Sequence, residues 1–241
     1  MTSGNLRNIA KLIWLKVGLL INIYPKNVTC PCCGWTGRAF LERRGTKNAR
    51  CPKCDSLTRH RWLYIELEKL FNQENIPINP KILHVAPEIS IQPLLKKKGG
   101  KGYISIDLAG VNESQQADLT NLHGFTSNYY DLIFVSHALE HVDNDVKAMN
   151  EIYRVLKPKT GIAIICVPIN LDLAKGYAYS EDQMLKHPDQ HVREYGRNFF
   201  QILRRQGFTV TIIKSLPYSS MARTLYGFGS PLDIAALCRR K

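Results

Sequence analysis

The stretch Asp131-Leu132-Ile133-Phe134-Val135 decides the fold of this chain, because it reads as a short strand that runs into a polar segment. Further along, the continuous apolar run at residues 162–167 predicts a strand buried on both faces. Between the two, apolar residues recur at helical spacing from Val146 to Leu156, and Asp143 is the predicted N-cap. Strand, helix and buried strand in this order predict a parallel sheet.

The same alternation continues on both sides of this unit. Short apolar runs predict strands at residues 82–86, 103–106, 208–213 and 234–238, and helical periods predict helices at residues 61–72, 89–98 and 197–205, the last being the final helix. The predicted fold class is therefore α/β, with a doubly wound parallel sheet. Ligands bind beyond the carboxyl ends of the strands in such sheets, so residues at those ends are the first candidates for a site.

Two cysteine pairs precede this pattern, Cys30-x-x-Cys33 and Cys51-x-x-Cys54, with 17 residues between them. The spacing is typical of a zinc ribbon, because each C-x-x-C turn offers two thiolates to one tetrahedral ion. The four cysteines are therefore the predicted metal ligands. Two disulfides or plain buried thiols are the alternatives.

The remaining three cysteines have other predicted roles. Cys32 can replace a neighbour as a metal ligand, although a C-x-C bite is tighter, whereas Cys166 and Cys238 are predicted to pack in apolar surroundings. An odd number of cysteines in a metal-like spacing, without a cleavable signal peptide, favours a reducing cytoplasm.

The formal net charge of +13 permits binding to nucleic acid, to anionic lipid or to an acidic small molecule. A solvated basic surface is the equally weighted alternative. Basic residues crowd the cysteine module, namely Arg43, Arg44, Lys47, Arg50, Lys53, Arg59 and Arg61.

Three parts are predicted along the chain. Residues 1–27 form an apolar, basic helix whose lysines leave it short of a membrane span, so it docks on the protein or makes a peripheral membrane contact through residues 6–24. Residues 28–60 form the zinc ribbon, and residues 61–241 form the α/β domain. The predicted localisation is cytoplasmic, with the membrane periphery as the alternative.

Two acidic residues stand where a nucleoside could be held. Asp107 ends the second predicted strand of the sheet, about twenty residues after the first strand ends, a position from which a carboxylate can accept both hydroxyls of a ribose. Asp118 can accept from an adenine amino group. Capping of a local turn is the alternative for both residues.

Several strings together resemble a known family. The strings Tyr130-Asp131-Leu132-Ile133, then His137-Ala138-Leu139-Glu140-His141-Val142, then Arg154-Val155-Leu156-Lys157-Pro158 resemble the S-adenosylmethionine-dependent methyltransferases of the type 11 branch. Three further strings resemble a bacterial subgroup with an N-terminal zinc ribbon: Cys51-Pro52-x-Cys54-x-Ser56-Leu57-x-Arg59-His60-Arg61, Leu83-His84-Val85-Ala86-Pro87-Glu88 and His191-Val192-Arg193-x-Tyr195-Gly196. The resemblance implies a Rossmann-like methyltransferase sheet, with S-adenosylmethionine and zinc as cofactors.

The resemblance also implies which residues hold the methyl donor. They are His84, Ala86, Pro87, Glu88, Asp107, Leu108, Asp118, Leu119 and Ser136. The first loop departs from the usual pattern, because His84 stands at the position of an acid, and Ala86, Glu88 and Ser90 stand where glycine is expected. Glu88 is the candidate to contact the methionine ammonium group in place of that pattern.

The candidate catalytic residues lie near the strand ends. His137, Glu140 and His141 follow the strand at residues 131–135, and a histidine there suits a base role because it titrates near neutrality. Hydrogen bonds that fix the loop are the alternative. The letters also spell the H-x-x-E-H of inverted zinc peptidases, which requires a long helix.

A second group of catalytic candidates lies between the fifth strand and the last helix, in a segment that covers the acceptor pocket of similar enzymes. The group is His191, Arg193 and Tyr195. Arg193 can clamp an acidic acceptor or form a structural salt bridge.

The predicted function is therefore methyl transfer to a small molecule or to a cell-envelope sugar or lipid. A zinc-ribbon protein that binds or modifies nucleic acid and a non-catalytic methyltransferase-like fold are the alternatives.

Overall fold

A computed structural model describes residues 26–73, 76–110 and 115–240. The predicted membrane contact of residues 6–24 lies outside the described residues. So does the predicted N-terminal helix of residues 1–27, except for its last two residues. Among the described residues, no helix combines the length and the apolar character needed to cross a bilayer.

The described elements are these, in chain order. The strands are β1 (Val28–Thr29), β2 (Thr36–Gly37), β3 (Leu41–Arg43), β4 (Thr46–Arg50), β5 (Ile82–Val85), β6 (Tyr103–Asp107), β7 (Gln115–Gln116), β8 (Leu132–Ser136), β9 (Ile162–Cys166), β10 (Tyr177–Ala178), β11 (Arg193–Glu194), β12 (Phe208–Lys214) and β13 (Ile234–Arg240). The α-helices are α1 (Thr58–Gln73), α2 (Gln92–Gly99), α3 (Asp145–Val155), α4 (Glu181–Lys186), α5 (Phe199–Arg205) and α6 (Ser220–Tyr226). Short 3₁₀ turns cover Gly100–Gly102 and Leu139–His141.

The larger of two compact units comprises the described residues of Gln73–Lys214 together with those from Ile234 onward. Its sheet has the strand order β12-β13-β9-β8-β5-β6-β7. The strands from β9 to β7 pair in parallel, and every residue of β5, β8 and β9 is buried, as expected of strands covered on both faces. The carboxyl ends of β5, β6 and β8 therefore meet at one edge of the sheet.

The other edge of the sheet differs from the all-parallel prediction. Strand β13 pairs antiparallel with both β12 and β9. The apolar runs that predicted β12 and β13 are correct in place, but a run of this kind carries no information on direction.

The helices also show differences from prediction. The second helix begins at Gln92 instead of residue 89, because Pro93 favours the first turn of a helix. Asn144, and not Asp143, caps α3, since its side chain accepts from the Lys147 N–H at 2.9 Å. The helix predicted as the last is followed by α6, and α4 was not predicted.

The smaller unit comprises the described residues up to 72 together with Ser215–Asp233. It holds the cysteine module, nearly all of α1, and α6. This division differs from the boundary predicted near residue 60, because contacts keep α1 with the cysteines. The assignment of functional domains remains a prediction.

Arg61 explains much of that cohesion. Its side chain is fully buried, and its guanidinium donates to the carbonyl oxygens of Ser56 (2.7 Å), Asn48 (2.8 Å) and Tyr226 (2.7 Å). It also donates to the carbonyls of Ala49 and Gly227 and lies 3.9 Å from the centre of the Phe40 ring. Arg61 is therefore not part of the basic surface predicted for this module. Instead it joins the cysteine loops to the end of α6.

Candidate cofactor cleft and metal-binding cysteines

A cleft of about 490 Å³ lies at the carboxyl edge of the parallel strands. Its volume falls within the ordinary range of small-molecule sites. Five of the predicted cofactor residues line it: Ala86, Asp107, Leu108, Asp118 and Leu119. The predicted catalytic residues His137 and His141 line it as well. The other candidates, namely His84, Pro87, Glu88, Ser136, Glu140, His191, Arg193 and Tyr195, do not form its wall.

Asp107 ends β6 at the wall of this cleft. Its Oδ1 accepts from the backbone N–H of Ala109 at 2.8 Å, which is the turn-capping interaction considered as an alternative. Its backbone carbonyl accepts from Gly110 and Ala117, so the residue is fixed at both ends. Because the turn occupies Oδ1 alone, Oδ2 has capacity left to accept from a ligand hydroxyl.

Asp118 also caps its own turn. Its Oδ1 accepts from the Thr120 N–H and its Oδ2 from the Thr120 hydroxyl, both at 2.8 Å. Each carboxylate oxygen has two lone pairs, so a further donor can still bind. The neighbouring Leu119 is buried and gives this wall an apolar surface.

In the first loop, Ala86 adopts a backbone conformation that is usual for glycine. Ala86 has a φ of +48°, in the left-handed region that glycine adopts most easily, and its N–H donates to the Ile106 carbonyl at 2.8 Å. The loop thus makes the turn for which glycine is usual, although its sequence is poor in glycine. Sequence reasoning identified the position but not this conformation.

His84 and Glu88 form a pair beside the cleft. His84 is fully buried in β5; its Nδ1 lies 3.1 Å from the Tyr103 hydroxyl, and its Nε2 lies 3.5 Å from Glu88 Oε2. Its ring meets those of Tyr103 and Phe134 edge to face. The carboxylate of Glu88 therefore lies near the histidine that stands at the usual acid position, and its contact with the methionine ammonium group remains a prediction.

His137 lines the cleft, and the Glu140 carboxylate lies next to its ring. The residue has a φ of +51°, and its Nδ1 lies 2.9 Å from Oε1 of Glu140, which is fully buried. The carboxylate thus lies beside Nδ1 at ion-pair distance, although neither of its oxygens accepts a hydrogen bond of good geometry from a described residue. Ser136, directly before it, is buried at the end of β8.

The segment at residues 137–141 is not a long helix, because only Leu139–His141 forms a 3₁₀ turn after β8. The geometry of an inverted zinc peptidase is therefore absent from this segment.

Arg193 and Tyr195 hold the loop that carries His141. Arg193 forms a 2.9 Å ion pair with Asp145 and donates to the carbonyls of Val142 and Asp143. The Tyr195 hydroxyl lies 2.9 Å from Asp145 Oδ2, and burial together with this carboxylate raises the tyrosine pKa. Arg193 thus forms the structural salt bridge considered as the alternative to its catalytic role.

His191 lies at the other side of His141, with the two ring centres 5.0 Å apart. Burial lowers the pKa of His191, against the opposing effect of the Glu140 carboxylate. The His187 ring stacks on the His191 ring, with the two ring centres 4.3 Å apart. Three histidines therefore lie close together here.

Four polar residues of the cleft wall were not predicted: Thr120, Asp143, Asn144 and Lys147. The last three lie just beyond the end of β8, at the start of α3. Their position after a buried strand is the sequence signal that could have identified these three residues.

The four predicted ligand cysteines form a compact cluster. The sulfurs of Cys30 and Cys54 are 3.7 Å apart, as are those of Cys33 and Cys51, and all four sulfurs lie within 4.8 Å of one another. A tetrahedral zinc ion with bonds of about 2.3 Å requires sulfur separations of about 3.8 Å, so the cluster fits this ion. A disulfide requires about 2.05 Å, and no cysteine among the described residues forms one. Cys32 is not one of these four, although its thiol interacts with that of Cys30, and its sulfur lies 3.8 Å from the His60 carbonyl oxygen.

Comparison with known families agrees with this architecture. Residues 92–165 match the family model of a methyltransferase domain. None of the curated proteins compared matches the chain significantly. The mostly parallel seven-stranded sheet with its helices has the Rossmann-like methyltransferase fold.

Solved structures show the same fold at low identity. The CurJ carbon methyltransferase matches with a TM-score of 0.53 and 14% identity, over 76% of this chain and 54% of its own. A putative S-adenosylmethionine-dependent methyltransferase from Listeria monocytogenes matches with a TM-score of 0.50 and 13% identity, over 76% of this chain and 99% of its own. The [4+2]-cyclase SpnF matches with a TM-score of 0.50 and 11% identity, over 99% of this chain and 96% of its own. Because a cyclase is among them, function has to be argued from the site.

Proposed function

We propose that this protein is an S-adenosylmethionine-dependent methyltransferase that acts on a small molecule or on a cell-envelope sugar or lipid. The observation that carries the proposal is the convergence of Asp107 and Asp118 on one open cleft. The cleft lies at the edge of the sheet where ligands of this fold class bind. Its open volume argues against a fold whose crevice is filled by its own side chains.

Each acid has a defined role in this proposal. The Oδ2 of Asp107 accepts from the ribose, while Oδ1 keeps the turn to Ala109 in place. Asp118 accepts from the adenine amino group next to the apolar surface of Leu119. When bound, S-adenosylmethionine supplies a methyl group on a positively charged sulfur.

His137 is the proposed general base. Its Nδ1 lies 2.9 Å from Oε1 of the buried Glu140 carboxylate, and the residue forms part of the cleft wall. Its other nitrogen can then remove the proton of an acceptor hydroxyl or amine. Methyl transfer otherwise requires alignment above all, which rigid loops on a buried sheet provide.

Zinc at Cys30, Cys33, Cys51 and Cys54 is proposed as a structural ion. Four thiolates complete a tetrahedral site and leave no open position, which is typical of structural zinc. The match between the sulfur separations of 3.7 Å and those of a zinc–thiolate tetrahedron supports this assignment.

Titration calorimetry with S-adenosylmethionine tests the cofactor proposal. We expect the wild-type protein to bind and Asp107→Ala to lose measurable binding, because the ribose contact is removed. Asp182→Ala is the control, since that residue is exposed on α4 and pairs only locally with Lys186. Unchanged affinity in Asp107→Ala would refute the assigned pocket.

The acceptor is testable with a labelled methyl group. Cell extracts incubated with the protein and labelled S-adenosylmethionine should yield label in small molecules or in envelope sugar or lipid. The net charge of +13 permits an anionic acceptor, whereas the cleft wall itself holds three aspartates and one lysine. Label in nucleic acid, with an affinity that falls steeply with salt, would instead support the nucleic-acid alternative.

A further inference from the structure

Three potential metal ligands meet at one end of the cleft. Glu140, His141 and His191 each offer one ligand atom, and these atoms lie within 4.8 Å of one another. The Val192 N–H donates to the Glu140 carbonyl at 2.9 Å and so holds the two chain segments together. The cluster is separate from the cysteine module, which forms a different compact unit.

The carboxylate of Glu140 is an unusual group to find here. Its side chain has no exposed surface, and its contact is the His137 Nδ1, 2.9 Å from Oε1. No described residue donates to either of its two oxygens with hydrogen-bond geometry, so the contact with His137 is a matter of distance alone. Burying a carboxylate is costly unless it is paired or coordinates a metal, so this buried group is a candidate ligand for a cation.

We propose that Glu140, His141 and His191 bind a divalent transition-metal ion of the zinc class at the rim of the cleft. Two imidazoles and one carboxylate are a donor set that zinc, cobalt and nickel accept, and Mg²⁺ is disfavoured because it prefers oxygen ligands. Three protein ligands leave at least one coordination position for water or for an oxygen of a bound molecule.

The surroundings suit such a site. Metal–ligand bonds of about 2.0–2.1 Å require tetrahedral ligand atoms about 3.3 Å apart, so the three atoms have to draw together. The His141 ring is exposed and can turn, whereas His191 is steadied by stacking on His187 at 4.3 Å. His137 provides the outer contact to the ligating carboxylate that metal sites usually contain.

Metal titration of the full-length protein tests this site. The protein is first loaded with one equivalent of zinc, which fills the cysteine cluster, and further Zn²⁺ binding is then measured by calorimetry. We expect a second equivalent in the wild type and at least a tenfold loss of its affinity in His141→Ala, His191→Ala and Glu140→Gln. His123→Ala, an exposed histidine outside the cluster, should bind as the wild type does.

Cobalt distinguishes the two sites directly. Co²⁺ bound by thiolates gives strong sulfur-to-metal charge-transfer bands, whereas Co²⁺ at the proposed site gives weak visible bands alone. Those weak bands should vanish in His141→Ala, whose exposed position keeps the fold intact, as a thermal melt of the variant checks. The proposal is overturned if the wild type takes up no second equivalent, or if the three ligand variants keep its affinity. Binding of S-adenosylmethionine is measured separately, so failure here leaves the proposed function standing.

Discussion

The Glu151 carboxylate bonds the guanidinium of Arg154 through both of its oxygens, each at 2.8 Å. The pair reaches beyond its own helix, because Glu151 accepts from the Leu122 N–H at 2.8 Å and Arg154 donates to the carbonyls of Leu122 and Phe125 at 2.9 Å. The arginine of the Arg-Val-Leu-Lys-Pro string therefore fastens the loop before β8 onto α3. Its role in the string is structural.

This arrangement predicts a pH-dependent contribution to stability. Hydrogen bonds from Arg154 are the main reason that the pKa of Glu151 lies below its usual value of 4.5. A lowered folded pKa means that the stabilisation is complete above pH 4.5 and is lost as the pH falls through the folded value. Glu151→Gln should therefore lower the free energy of unfolding by about 1 kcal/mol at neutral pH, since the pair is partly exposed.

Chemical denaturation at several pH values measures this effect. The difference between Glu151→Gln and the wild type should shrink as the solution becomes more acidic than pH 4.5. Glu181→Gln, at an exposed position of α4, is the control and should stay within about 0.5 kcal/mol throughout. A deficit that is the same at acidic and neutral pH would contradict the assigned pair.

Arg61 offers a second prediction, in the smaller unit. Five carbonyl oxygens accept from its guanidinium, and no single amine can reach them all. Arg61→Lys should thus lower the free energy of unfolding by about 3 kcal/mol and speed the loss of zinc to a chelator, because buried carbonyls lose their donors. Arg43→Lys, at an exposed position, should behave as the wild type. Equal melting temperatures for the two variants would show that the buried network is unimportant.

The sequence could predict most of the sheet. Strands β5, β6, β8 and β9 lie within two residues of their predicted places, because buried parallel strands are short apolar runs with little ambiguity. The antiparallel direction of β13 could not be predicted, since it depends on which edge of the sheet the chain reaches last. Helix α6 was missed because its seven residues bury none of their side chains and so show no apolar period.

The candidate site divides in the same manner. Asp107 could be located at the cleft because it ends a predicted strand, whereas Asp118 follows β7, a two-residue strand that was not predicted. The burial of Arg61 and the pairing of His84 with Glu88 could not be predicted, because they depend on contacts between distant residues that share no local pattern. The left-handed backbone of Ala86 could not be predicted either, because an alanine gives no signal for a positive φ.

Two cysteines of the smaller unit, Cys51 and Cys32, are expected to respond differently to mutation. Cys51 contributes one of the four clustered sulfurs, whereas Cys32 lies outside the cluster and contacts the His60 carbonyl. Cys51→Ser should reduce the zinc bound at the cysteines from about one equivalent to almost none and destabilise the smaller unit. Cys32→Ser should retain the equivalent in full.

Mass spectrometry of the intact folded protein, with its metal, checks this contrast. Loss of zinc in Cys32→Ser would assign Cys32 as a ligand and contradict the predicted set of four. Absence of zinc from the wild type after purification in zinc-containing medium would remove the ribbon altogether.

The first loop gives the most direct test of how this chain manages without glycine. Ala86 holds a φ of +48°, which costs an alanine about 1 kcal/mol relative to glycine, while glycine costs up to about 1 kcal/mol more to order on folding. Because the two costs nearly cancel, Ala86→Gly should change the free energy of unfolding by less than about 0.5 kcal/mol. It should also keep the affinity for S-adenosylmethionine.

Two comparisons make the prediction specific to the backbone. Ala86→Val should cost more than about 2 kcal/mol, because a β-branched residue is a true outlier at this φ. Ala117→Gly, in the same cleft but without a positive φ, should lose about 0.5–1 kcal/mol, since the glycine gains freedom in the unfolded chain and relieves no strain. If Ala86→Gly proves as destabilising as Ala117→Gly, the left-handed turn is not present in solution. The loop would then need another route to bring its backbone close to the cofactor.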